Sequence, residues 1–496
     1  MVSFRPWPRI IAALAAAGAC AIAAAVPRAA RAQGTRRPIT LREAIALAQA
    51  QGLQARSARD ARDAARARDR VITSQYLPSL SLGGTAPSYT RSITPVTQPD
   101  GSIQYRPVEQ TQGALTASVV QRVPWTNTTF TFNSSLSQVQ LNGTDFRKTW
   151  SATPLSIGIQ QPILRANAQH WDLAQQDLRN TSAERRYLEA REDAAIAAAN
   201  AFFDLHAAAA TLANATTNAA VNDTLYTLNK GRYEVGKIGE NDLLQSELAL
   251  LRARAAADDA RLAFERSREQ LRITLNAPAG TAFEAVVSPE VPSVEADTAQ
   301  AVAQALRNSS GMSDAELQEV TGDRSVSEAR WNTGAGGTLS ASYGYNASAG
   351  NAPDAYKNLL DARQMNLSVS IPVWQWGAHT AQVQAAKADR DAARNTASLA
   401  RANIANNAKF AALQLAQARR SLMIAAKADT VAQKRFEVAY NRYGIGRINV
   451  DNLYLAQNEK DQALASYVQA LRTFWTSYYQ LRRTTLYDFE ALQPIR

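Results

Sequence analysis

The sequence is poor in the residues that carry redox, metal and nucleophilic chemistry. It has one Cys in 496 residues, which excludes a disulfide scaffold, a zinc ribbon and an iron–sulfur site. Its three His, His170, His206 and His379, are scattered and leave little material for a metal centre or a catalytic triad. The 23 Gly and 18 Pro are too few for a collagen-like or Pro-rich low-complexity chain. Neither charge sign dominates: 54 Lys+Arg face 43 Asp+Glu. With 20% charged and 46% apolar residues, this is no disordered polyelectrolyte. The Arg alternate with Asp and Glu, as on solvated helix faces. No basic patch with interleaved aromatics appears, so no nucleic-acid partner is expected. Asp204 and His206, the nearest ionisable pair, have no motif spacing. No enzyme is expected, and no catalytic, cofactor-binding or metal-binding residue. Met312, Met365 and Met423 are too few for a thioether copper path.

What is present starts at the N-terminus. Arg5 and Arg9 precede an apolar run from Ile10 to Val26, and Ala30-Arg31-Ala32 has the small-x-small cleavage pattern. Residues 1–32 therefore read as a secretory signal, with the mature chain starting at Gln33. An uncleaved anchor is the weaker reading, because 17 mostly Ala residues are short for a bilayer core of about 30 Å. Lipidation at Cys20 is disfavoured, since Ala17-Gly18-Ala19 lacks the larger aliphatic residue such a site wants. Removal of four Arg lowers the net charge from +11 to +7 and leaves no cysteine. No mature segment offers 18 consecutive apolar residues, so any membrane crossing is expected from strands closed into a barrel.

The chain repeats itself. Leu155-Ser-Ile157-Gly-Ile159 returns as Leu367-Ser-Val369-Ser-Ile371, and Arg232-Tyr233-x-Val235-Gly236 returns as Arg442-Tyr443-x-Ile445-Gly446, at offsets of 212 and 210. A tandem duplication follows, with units at 33–290 and 291–496. Each unit holds a helix, strands, a very long helix, a tight turn and another helix. In the first, Thr40-Leu41-Arg42-Glu43 has capping-box spacing and opens a helix to about Gln75. Strands are expected at about 79–164, including an extra hairpin around Pro124-Trp125-Thr126-Asn127, then helices over 166–230 and 240–277. In the second unit the strands fall at about 337–347 and 365–374, and the helices over 378–441 and 450–487. Both long spans lack Pro and Gly, and at 1.5 Å per residue they reach roughly 95 Å. Leu464, Tyr467, Leu471, Phe474, Tyr478 and Leu481 form a heptad seam.

The strands alternate strictly. Leu155, Ile157 and Ile159 oppose Ser156, Gly158 and Gln160, as Leu367, Val369 and Ile371 oppose Ser368 and Ser370. One apolar and one small polar face over about nine residues suits a lipid-facing barrel strand. A half-buried strand of a soluble sheet shows the same period. Trp125, Trp150, Trp331, Trp374 and Trp376 cluster in or beside the strands, as in an interfacial girdle.

An exported, duplicated chain of Ala-rich helices interrupted by amphipathic strands resembles the TolC-like outer-membrane efflux proteins. The most specific segments are Tyr76-Leu77-Pro78-Ser79-Leu80-Ser81-Leu82, Gln161-Pro162-Ile163-Leu164 and the two Tyr-x-[Val/Ile]-Gly turns. The resemblance implies a mainly α fold with a β-barrel part: three protomers share an outer-membrane barrel, and their coiled helices form a periplasmic α-barrel. It implies a passive exit duct for tripartite efflux or type I secretion. The partners would be two further copies, outer-membrane lipid, an inner-membrane pump, and a periplasmic adaptor that opens the tip.

By the same resemblance Gly236 and Gly446 match the tip-turn glycines, Asp242 the first-turn aspartate, and Tyr443 a tyrosine that ties helices closed. Ile448 stands where the family can place a locking arginine, with Arg447 one residue early. Asn452 and Leu455 fall where some relatives carry acidic rings, with Asp451 adjacent. Helix capping is the competing role for Asp242 and Asp451. The competing function is a periplasmic coiled-coil structural or adhesive protein without a pore.

Overall fold

A computed structural model describes residues 36–496 except 143–145, 288–290, 293, 295 and 446. The expected signal, residues 1–32 with Cys20, lies outside the described residues. Strand β1 (Arg36–Thr40) leads into α1 (Leu41–Gln51). The Thr40 hydroxyl accepts from the Glu43 amide at 3.3 Å, and the Glu43 carboxylate accepts from the Thr40 amide at 3.0 Å, a complete capping box.

The helix expected to run unbroken to Gln75 is two helices. It breaks at Gly52, whose ψ of 144° is extended, and resumes as α2 (Leu53–Ser74). A Cβ at residue 52 would lie 2.4 Å from the Ala48 carbonyl oxygen, so the bend needs glycine.

Next come β2 (Ser79–Thr97), β3 (Ile103–Val123), β4 (Thr128–Asn142), β5 (Arg147–Ile163), α3 (Ala168–Glu234) and α4 (Glu240–Thr274). The second unit repeats the plan with β6 (Ala282–Val286), α5 (Thr298–Asn308), α6 (Ser310–Asn332), β7 (Gly336–Ala349), β8 (Leu360–Ser370), α7 (Ala378–Gly444) and α8 (Val450–Thr485). Two short strands, β9 (Tyr487–Asp488) and β10 (Gln493–Pro494), close the chain. β1 pairs in parallel with β6, Arg36 opposite Ala282 and Thr40 opposite Val286. β6 thus stands before the helices of the second unit as β1 stands before those of the first. A five-residue strand gives no alternation to read.

α3 and α7 each have 67 residues, roughly 100 Å of helix. One 18-residue stretch of α3 is apolar enough to cross a membrane, although no such helix was expected. Its apolarity serves packing: Ala195, Ala198, Ala199, Phe202, Phe203 and Leu205 are buried in the main core. There they meet Leu271 of α4, Leu415 and Leu422 of α7, and Leu471, Phe474 and Leu481 of α8. Alanine seams bring backbones close, and leucines and aromatics fill the space between them.

The chain end is clamped to the same core. Buried Glu192 of α3 accepts from Arg482 Nε of α8 at 3.0 Å, and Arg482 also pairs with Asp488 at 2.5 Å. Removing one partner of such a buried pair costs about 3–5 kcal/mol.

At one end of the long helices lies a single antiparallel sheet of six strands, in the order β2-β3-β4-β5-β7-β8. The first unit supplies four strands and the second two.

Candidate functional site

Both helical turns at the far end from the sheet share one backbone bond. After α3, Gly236 adopts φ +68°, its amide donates to the Tyr233 carbonyl at 2.8 Å, and the Lys237 amide donates to the Arg232 carbonyl at 2.8 Å. These are the two bonds of a glycine-terminated Schellman cap. After α7, the Arg447 amide donates to the Arg442 carbonyl at 2.9 Å, the equivalent long bond. Gly446 lies outside the described residues.

Tyr443 is the centre of the tip. It is buried with Leu225 and Leu453, and Val221, Phe436, Ile448 and Tyr454 pack around them. This small cluster joins α3, α7 and α8. The Arg232 guanidinium lies 5.8 Å from the Tyr443 ring centroid, within cation–π range. Burial pushes the hydroxyl of neighbouring Tyr454 up from its ordinary value, and the nearby Asp451 carboxylate reinforces this.

The remaining expected tip residues are not gathered into this cluster. Asp242 is exposed in the first turn of α4, and Asn452 and Arg447 are exposed around the second turn. Among the described residues none of the three makes a side-chain hydrogen bond or ion pair. Asp451, in the first turn of α8, accepts from Gln245 Nε2 of α4 at 3.4 Å. Ile448 packs against the apolar cluster, while Arg447, one residue earlier, stays exposed. Arg232 and Gln245 were missed from sequence. Arg232 was visible as the head of a repeated motif, but its contact with the other copy of that motif was not.

Farther along the helices Arg254 pairs with Asp223 at 2.9 Å, and Asn218 Nδ2 donates to Asp461 at 2.8 Å. Here α3, α4 and α8 border a groove of about 790 Å³. The side-chain oxygens of buried Asn222 and Gln457 line it without a protein partner.

At the opposite end the sheet sorts its side chains by face. Directly opposed residues share a face. The ladder sets Phe132 against Ile157, Phe130 against Ile159, Ile157 against Tyr343, Leu155 against Tyr345, and Leu339 against Leu367. Leu155, Ile157, Ile159, Leu367 and Val369 therefore lie on one face, and Ile371 follows just beyond β8. That face is open: Leu80, Leu82 and Met365 are 76%, 81% and 75% exposed. Trp125, Trp331, Trp374 and Trp376 stand exposed where strands meet helices, and Trp150 lies near the far edge beside Lys148.

No family sequence model and no curated protein matches the chain by sequence. Solved structures do match. The outer membrane channel CmeC of Campylobacter jejuni has a TM-score of 0.64 at 14% identity, over 92% of this chain and 87% of that one. The outer membrane protein VceC of Vibrio cholerae has 0.64 at 14%, over 90% and 95%. The open-state outer membrane channel MtrE of Neisseria gonorrhoeae has 0.58 at 14%, over 90% and 88%. Six strands on paired 67-residue helices, and this likeness along nine-tenths of the chain, establish that the protein has the fold of the TolC-like outer-membrane channels.

Proposed function

We propose that three copies of this chain form a passive exit duct. Their sheets close one barrel in the outer membrane, and their helices extend into the periplasm. An inner-membrane pump supplies energy and cargo, and a periplasmic adaptor opens the tip. The observation that carries this reading is the exposed apolar face of a sheet mounted directly on helices of roughly 100 Å. In lipid, that face is the apolar band of a barrel, and Leu155, Ile157, Ile159, Leu367, Val369 and Ile371 belong to it. In water it would be an aggregation surface. A pore-free coiled-coil protein has no use for it.

The tip is the gate. The cluster around Tyr443, with Arg232 beside it, holds α7 and α8 against α3. The partly satisfied polar seam at Asn222 and Gln457 is the least committed stretch of that packing, where α8 can shift when a partner biases the helices. Asp242 and Asp451 sit at the positive ends of α4 and α8, where a carboxylate steadies the helix start rather than the Tyr443 cluster.

Planar-bilayer recording of the purified protein tests the duct. Discrete channel steps, small for the closed tip, are expected. Membrane binding without any step in the native protein or in a Tyr443→Ala variant would remove the reading.

A further inference from the structure

The strands next to the helices are four: β2 after α2, β5 before α3, β7 after α6 and β8 before α7. β3 and β4 form a hairpin with no counterpart among the described residues of the second unit. A hairpin of this kind can line the wall of the barrel or fold outside it.

Three observations place it in the wall. First, it sits in the middle of the ladder. β3 pairs with β2 from Ser79 opposite Val120 onward, and β4 pairs with β5 from Thr129 opposite Gln160 onward. Removing the hairpin would split the sheet. Second, its faces continue those of its neighbours. Leu80 faces Val119, Leu82 faces Ala117, Leu115 faces Leu136, and Phe132 faces Ile157, all on the exposed apolar side. The bulge between Thr85 and Ser88 then moves β2 from even to odd apolar positions. Tyr89 and Ile93 thereby stay on the face of Leu80. Third, its turn is fastened to the end of β5 and to the start of α3. Asn167 Nδ2 donates to the Pro124 carbonyl at 2.7 Å, and Gln161 Nε2 donates to the Thr126 carbonyl at 2.9 Å.

We propose that the inserted hairpin is part of the barrel wall, so that three copies of six strands close an eighteen-stranded barrel. The helix-adjacent strands alone would give twelve. This rests on the trimeric-duct reading. Barrels of about 16–18 strands leave an open aqueous channel rather than a filled core. The face opposite the apolar one carries Ser81, Ser118, Asn133, Ser156, Ser342 and Gln364. Between Arg122 at one end and Arg147 at the other, its described residues are uncharged. The outer-membrane section is thus a wide bore that is neutral along its middle and carries arginines at both ends.

Closure also fixes how neighbours meet. β2 and β8 are the free edges of the sheet. Keeping Leu80 and Leu82 on the same side as Met365, Leu367 and Val369 requires even-numbered β2 residues opposite odd-numbered β8 residues of the next copy.

Single-cysteine variants in a Cys20→Ala background test this, carrying an environment-sensitive fluorophore in lipid vesicles. Labels at Leu115→Cys and Phe132→Cys are expected to be quenched by spin-labelled lipid as strongly as a label at Ile157→Cys. Labels at Ser118→Cys and Asn133→Cys should respond only to aqueous iodide. If all four hairpin labels respond to iodide alone while Ile157→Cys stays lipid-quenched, the hairpin lies outside the wall. The eighteen-strand proposal then fails and the duct stands. If Ile157→Cys itself is not lipid-quenched, the duct reading fails, and this proposal with it. Leu80→Cys combined with Val369→Cys or Leu367→Cys should link neighbouring copies by disulfide, and with Ser368→Cys should not. The reverse pattern would overturn the closure.

Discussion

Arg232, near the end of α3, sets its guanidinium 5.8 Å from the ring centroid of Tyr443, near the end of α7. Arg232 opens the first copy of a duplicated Arg-Tyr motif, and Tyr443 is the second residue of the other copy. The two halves of the duplication thus hold each other at the tip.

Truncating either residue should loosen that hold. A cation–π contact near solvent is worth about 0.5–1 kcal/mol, which shifts the open-to-closed ratio of each copy about two- to fivefold. Arg232→Ala should raise bilayer conductance by about that factor. Tyr443→Ala should raise it more, because it also empties the Leu225–Leu453 cluster. Tyr443→Phe keeps the ring and should leave conductance unchanged, as should Asp242→Ala, which removes no contact. A conductance rise with Tyr443→Phe but none with Arg232→Ala would refute the stacking account.

The two faces of the sheet should tolerate charge differently. Ile157→Arg or Met365→Arg puts a guanidinium at mid-depth on the lipid side, at a cost of about 2–4 kcal/mol. Heat-resistant oligomer in the outer-membrane fraction should fall sharply. Ser156→Arg points the same charge into the bore and should assemble normally. Equal assembly of all three variants would mean that the face assignment is wrong.

Two glycines five positions apart should respond with opposite signs. Gly236→Ala forces a side chain into φ +68° and should destabilise the tip by about 1–2 kcal/mol. Gly231→Ala, inside α3 with open space around it, should stabilise that helix by up to about 1 kcal/mol. Hydrogen exchange of the tip amides separates the two, and the same sign for both would contradict the cap.

Acid should loosen α6 from α7. Glu319 receives two hydrogen bonds from Arg401, at 2.8 and 2.9 Å, and these hold its carboxyl below the ordinary value of 4.5. A lowered folded-state pKa contributes stability above the unfolded value and loses it as pH falls through the folded one. Thermal stability should therefore drop below about pH 4.5, and Glu319→Gln should flatten part of that drop. A Glu319→Gln curve parallel to the native one would remove this pair from the acid response.

How far the sequence discloses this molecule depends on the kind of signal. The long helices announce themselves, because Pro and Gly are missing from spans of more than 60 residues, and the Thr40–Glu43 cap appears as read. The strand faces of Leu155–Ile159 and Leu367–Ile371 are equally plain. The full length of β2 and β3 is not. The bulge at Thr85–Ser88 breaks the alternation, and the outer halves of these strands are rich in Ser, Thr and Gln. The bend at Gly52 is hidden because one glycine within a helical pattern is usually tolerated. β1 and β6 are hidden because five residues show no period. At the tip, the turns and Tyr443 could be located by the repeat. Which side chains touch Tyr443 is a matter of how α3 and α7 pack, and single-chain periodicity does not encode it.

A duct of three copies belongs in the outer membrane. The most direct measurement is to express the full chain in a Gram-negative host, separate the membranes by density, and determine the mass of the unheated detergent extract. A complex of three copies in the outer-membrane fraction is the predicted result. A single copy in the soluble periplasmic fraction would contradict the account.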